Sequence, residues 1–185
     1  MRALTNDIVL RRKLSGSYNR FWATCSQLQF SVEKAKIFAS IYVIESFYRP
    51  ILFRMVEYAA VLGGGAISFA FNRAIKNYTI GVCQLGLSTI LNYYGGDYYQ
   101  HSKELQISNI RCFNKLLSVI SLKTSIKILE YRIEPILQRA QNIYPNSKEN
   151  QICYIGEQFN GRYSYGLMLN SVYEVLGNHK AETVI

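Results

Sequence analysis

Three short segments of this 185-residue chain carry residue types that do chemistry. In the first, Glu45 and Ser46 are followed by Pro50, five positions after the acid, at the end of the apolar run SVEKAKIFASIYVIESFY. Apolar neighbours and the negative end of a helix both disfavour a carboxylate, so Glu45 is expected to hold a proton and to give it as a general acid. The competing reading is an ordinary pair with Arg49, four residues on. The second segment is Thr79-Ile80-Gly81-Val82-Cys83-Gln84; the third is Tyr154-Ile155-Gly156-Glu157-Gln158-Phe159-Asn160-Gly161, with Tyr165 shortly after. Glycine lets a ligand approach the backbone, and the amides of Gln84 and Asn160 donate and accept, which suits hydroxyls and acetamido groups. Taken singly, each of these two segments also reads as a turn.

Other chemistry is poorly provided for. His101 and His179 are the only histidines, and Cys25, Cys83, Cys112 and Cys153 stand tens of residues apart without a CxxC pair, so neither a metal site nor a cofactor is expected. Cys83, Cys112 and Cys153 lie among apolar residues and read as buried free thiols, with a disulfide left open. The 15 Tyr, 9 Phe and 1 Trp suit either a core with wet edges or a platform that stacks on sugars or bases.

The elements that must position these segments are mostly helical. Ser31 as N-cap, then Ile37, Ile41, Ile44 and Tyr48 at helical spacing, predict a helix over 31–48, apolar on a second face through Phe38, Val43 and Phe47. Arg49-Pro50 should end it, and a second helix should run from Pro50 to Leu62 until Gly63-Gly64-Gly65 break it. Residues 78–86, β-branched and punctuated by glycine, predict a short β-hairpin or extended turn. Ser88–Tyr94 reads as a short helix closed by Gly95-Gly96, and Ser102–Ile120 as a long one with Leu105, Cys112, Leu116 and Val119 on one face. Ile126, Leu129, Ile133, Leu137 and Ala140 mark another, kinked or restarted at Pro135. Lys148–Phe159, ended by Asn160-Gly161, and Ser164–Leu176 complete a mainly α chain with no internal repeat. The expected organisation is a basic segment 1–30, one domain over 31–178 and a tail 179–185.

In this order and on this helical background, the segments resemble the lytic transglycosylase and goose-type lysozyme family. That family's pattern is Glu-Ser with a proline five residues after the Glu, then Gly-Leu-Met-Gln, then Tyr-Asn-Gly or Tyr-Asn-Ala, then a tyrosine in the closing helix. Glu45-Ser46 with Pro50 matches the first part without a gap. Gly81-Val82-Cys83-Gln84 matches the second with Val for Leu and Cys for Met, Phe159-Asn160-Gly161 the third with Phe for Tyr, and Tyr165 stands for the fourth. The stretch between Pro50 and Thr79 is longer than the family's and is expected to add a helix beside the cleft. The resemblance implies a lysozyme-like helical domain in which Glu45 is the catalytic acid, Ser46 supports it, and Gly81, Gln84, Phe159, Asn160 and Tyr165 face the substrate. The reaction it implies is cleavage of the β-1,4 bond between N-acetylmuramic acid and N-acetylglucosamine with one carboxyl group, leaving 1,6-anhydromuramyl ends. Asp97 is the only Asp after residue 7, and the scarcity of a second acid favours ring closure over the two-carboxylate hydrolysis of most glycosidases.

Lys plus Arg number 21 against 12 acids, a formal charge of +9, which points to an anionic partner. Peptidoglycan, with carboxylates on its peptide arms, is the partner the resemblance implies, alone or within a cell-envelope or secretion assembly. A noncatalytic member of the same fold that binds glycan strands or a secretion-machine partner is the alternative. A basic nucleic-acid-binding domain is the third reading. No helix-turn-helix spacing, zinc finger or RRM-type aromatic pair accompanies the charge, so nucleic acid is not the expected partner. The first twenty residues lack the 7–15 apolar residues of a secretory leader, and Val56–Phe71 falls short of a spanning helix, so neither a signal peptide nor a transmembrane segment is expected. The resemblance nevertheless places the work in the bacterial envelope, in the periplasm.

Overall fold

The computed structural model describes residues 8–48, 51–71, 73–98, 103–106 and 110–178. Among them the chain is mainly α, as its periodicity predicts: α1 (Ile8–Gln27), α2 (Val32–Tyr48), α3 (Ile51–Phe71), α4 (Leu87–Tyr93), α5 (Ile110–Leu117), α6 (Leu122–Ile143), α7 (Lys148–Asn160) and α8 (Tyr163–Asn178). Four two-residue strands accompany them: β1 (Ile75–Lys76), β2 (Thr79–Ile80), β3 (Leu85–Gly86) and β4 (Glu104–Leu105). The chain divides into two compact units, one made of residues up to Ile44 together with Ile133 onward, the other of Glu45–Arg132. It passes from one to the other inside α2 and back inside α6. The expected break at Arg49-Pro50 and the tail 179–185 lie outside the described residues.

In the discontinuous unit, α1 closes with Gln29 in the left-handed region at φ 59°, where the Phe30 N–H reaches back to the Cys25 carbonyl at 3.2 Å and the Gln29 N–H to that of Ser26 at 2.9 Å. This tight C-terminal hook normally takes glycine. Ser31 then caps α2 as predicted, its Oγ accepting from the Lys34 N–H at 3.2 Å. The Phe21 and Tyr42 rings stack at 4.6 Å, and Phe38 receives the edge of Phe30 at 5.5 Å. At the other end of the unit, Ser147 caps α7 by accepting from the Asn150 N–H at 3.4 Å, and Gly161 ends it in the left-handed region at φ 78°, where the residue order predicts. The α7–α8 contact is built on two glycines: a Cβ on Gly156 would lie 2.7 Å from the Gly166 Cα, and one on Gly166 would overlap the carbonyl oxygen of Cys153. Pro135 is exposed, and α6 runs through it without the expected restart. On the solvent side, water takes the carbonyl that the missing N–H leaves free.

In the continuous unit, the predicted hairpin is present, with Thr79 opposite Gly86 and Ile80 opposite Leu85. The α4 helix and its closure at Gly95 (φ 83°) also fall where expected. Two expectations fail. The helix predicted to stop at the three glycines continues to Phe71. Its inner face, with Val61, Gly65 and Ser68 buried and Gly64 against Ile75, offsets the roughly 1 kcal/mol that each glycine costs a helix. The long helix predicted from Ser102 starts only at Ile110, because Glu104–Leu105 pairs antiparallel with Ile75–Lys76 as a strand. That pairing buries Ile75 and Leu105 together and sets Lys76 opposite Glu104.

Candidate functional site

Glu45 lies in the last turn of α2 and is 6 % exposed, in a stretch where Ile41, Val43 and Ile44 are also buried. Its seclusion follows from the two-faced apolar pattern of the helix, which leaves no wet side for the carboxyl group. Ser46 beside it is half-buried. The Arg49 proposed as an alternative partner lies outside the described residues.

Gly81 and Gln84 meet in the bend between β2 and β3. Gly81 takes φ 83°, and a Cβ there would lie 3.2 Å from both Val119 Cβ and Ser125 Oγ, so what approaches this backbone is the protein itself. Gln84 has φ 49° and is 6 % exposed. Its Nε2 donates to the Gly81 carbonyl at 3.0 Å, and its Oε1 accepts from the Thr79 hydroxyl at 3.1 Å. These two bonds fix which end of the amide is which, and they hold the bend in shape. Thr79 Oγ1 also stands 3.5 Å from Glu57 Oε1 on α3. A hydroxyl has one proton to give, and the shorter contact to Gln84 takes it. Glu57 is thus the acid that the structure brings to the bend carrying Gly81 and Gln84. Sequence reasoning passed over it because a helix ending at Leu62 hides the inward stripe Glu57, Val61, Gly64 and Ser68, which runs at helical spacing through the glycines.

The remaining three positions lie in the other unit. Phe159 and Tyr165 are both 6 % exposed, and their rings sit 5.9 Å apart, tilted, at the α7–α8 turn. Asn160, the last residue of α7, is exposed. Of the seven residues, Glu45, Ser46, Gly81 and Gln84 therefore belong to one unit and Phe159, Asn160 and Tyr165 to the other. Phe159 and Tyr165 serve as packing at their turn, and Gln84 as a brace of its bend.

No group of three His, Cys, Asp or Glu side chains among the described residues is arranged to hold a metal ion. The four cysteines are free; Cys25 and Cys83 are buried as the apolar context predicts for the latter, but Cys112 and Cys153 are only half-buried, since each lies at the margin of its helix's apolar face. Burial pushes the Cys25 thiol up to about 12. Burial lowers Lys36, whose ammonium stands 3.6 Å over the Tyr173 ring, against the opposing pull of Glu174. Among the described residues no helix is long and apolar enough to cross a membrane. Compared with protein-family models, curated proteins and solved structures, the chain gives no match.

Proposed function

We propose that this protein is a lysozyme-like lytic transglycosylase acting on bacterial peptidoglycan in the cell envelope, with Glu45 as its single acid and base. The observation that carries the reading is the burial of the Glu45 carboxyl in the last turn of an apolar helix, within the Glu-Ser and Pro pattern. In the proposed reaction Glu45 protonates the oxygen between N-acetylmuramic acid and N-acetylglucosamine as the C1–O bond breaks. As carboxylate it then takes the proton of the muramyl 6-hydroxyl, whose oxygen closes on C1. No water is consumed, and the acid is regenerated.

One specific observation favours a second reading. Gln84 spends both ends of its amide inside its own bend, and Phe159 is buried beside Tyr165, so two of the family-pattern positions bind protein. That is what a noncatalytic glycan-strand or secretion-machine binding member of the same fold would show. Digestion of purified peptidoglycan followed by mass analysis separates the readings. The transglycosylase releases muropeptides one water lighter than those of a hydrolytic lysozyme and resistant to borohydride. Reducible muramyl ends would mean that an acid activates water, with Glu57 the first suspect; retained wall binding with no release would establish the noncatalytic member.

A further inference from the structure

The α3 helix has two faces, and only one of them is used within the chain. Val61, Gly65 and Ser68 point inward and are buried, yet Met55, Val56, Leu62, Ile67 and Phe71 are 46–71 % exposed along the opposite side. At 1.5 Å per residue this outer stripe is about 24 Å long, and no charged residue lies on it after Glu57, which faces the hairpin bend. With typical side-chain areas, the five large residues and the alanines between them offer about 700 Å² of apolar surface, more than a monomer usually leaves in one patch and close to the ~800 Å² per partner of a stable interface.

The stripe also alternates in size. Ala59, Gly63, Ala66 and Ala70 are exposed between the large residues. Gly63 is the telling one, because Gly64 is held against Ile75 whereas a Cβ on Gly63 would meet nothing within 4 Å. A glycine in mid-helix costs stability, and this one has no reason inside the chain to be a glycine. Folding the stripe onto itself about Gly63 supplies the reason. An antiparallel copy places Met55 against Phe71, Val56 against Ala70 and Ala59 against Ile67, so that large meets small, a thioether meets an aromatic ring, and the two backbones approach most closely at Gly63.

We propose that α3 is the interface of an isologous dimer, with a second copy of this chain packed antiparallel on the outer stripe and Gly63 at the two-fold axis. A self-complementary patch is what such symmetry demands. A lipid surface would use the apolar length but not the alternation of large and small residues or the glycine at its centre.

Sedimentation of the full chain at micromolar to tens of micromolar concentration should show a monomer–dimer equilibrium. Ile67→Lys, at an exposed position that leaves the fold intact by circular dichroism, should raise the dimer dissociation constant about a hundredfold or more. Gly63→Ala separates interface from fold, since the added methyl should raise the melting temperature of dilute, monomeric protein while weakening the dimer about tenfold. Under mild oxidation Gly63→Cys should cross-link to itself, whereas Phe71→Cys should cross-link to Met55→Cys but not to itself, with the parent protein as control. A chain that stays monomeric at 100 µM would overturn the proposal, whether it binds anionic vesicles through these residues or not. A dimer indifferent to Ile67→Lys, or self-cross-linking at Phe71→Cys, would overturn it equally.

Discussion

Replacing Glu45 by Gln keeps the shape of a side chain that is 6 % exposed but removes the proton it can give to a leaving alkoxide. The folded Glu45→Gln protein should release muropeptides at least about a hundredfold more slowly, the usual scale of lost general-acid catalysis; normal release would remove Glu45 from the chemistry. At Cys25 burial acts on a thiol, raising it from 9.0 to about 12. Between those values the unfolded chain gives up the Cys25 proton while the folded chain keeps it, so its contribution to stability is complete below pH 9 and is lost as pH rises toward 12. Denaturant titrations at pH 8, 9.5 and 10.5 should show stability falling with alkali, and Cys25→Ala should flatten the fall. An equal slope in that variant would assign the effect to other groups.

Two elements end in backbone conformations that single substitutions can probe. Gln29 sits at φ 59° in the hook that closes α1, so Gln29→Gly should stabilise the protein by about 0.5–1 kcal/mol by relieving the left-handed strain. A lower melting temperature would mean that the Gln29 side chain contributes more than its backbone costs. Gly166 has the opposite sensitivity. Its missing Cβ is what lets α8 lie against the Cys153 carbonyl on α7, so Gly166→Ala must push the helices apart, at a cost of about 1–3 kcal/mol in thermal or denaturant unfolding. Which elements were legible from sequence follows from the range of the forces that form them. The ends of α4 and α7 were, because Gly95 and Gly161 carry the stop in one residue; so was the 79–86 hairpin, whose turn is local. The strand at Glu104–Leu105 was not, since its partner lies about thirty residues upstream and its two residues fit a helical stripe equally well. Nor was the continuation of α3, where burial of Val61 and Ser68 outweighs three glycines. The site divides in the same way. Burial of Glu45 could be read from its apolar neighbours, but the turning inward of the Gln84 amide depends on a positive φ that no local pattern announces.

For the whole molecule, a charge of +9 makes any attraction to a polyanionic wall depend on salt. The Debye length shrinks from about 10 Å at 0.1 M to about 3 Å at 1 M, so binding to purified sacculi should weaken several-fold across that range. Binding that ignores salt would place recognition on uncharged sugar contacts instead. The division of the chain has its own consequence. Residues 45–132 form one unit without interruption, while the partners of α1 and the first part of α2 come only after Ile133. On the ribosome, then, the leading segment must wait for nearly ninety further residues, about 5–20 s at ordinary elongation rates, with Phe21, Phe38 and Ile41 still unburied. The middle of the chain can mature first, and the exposed beginning is the stretch that chaperones should hold longest during synthesis.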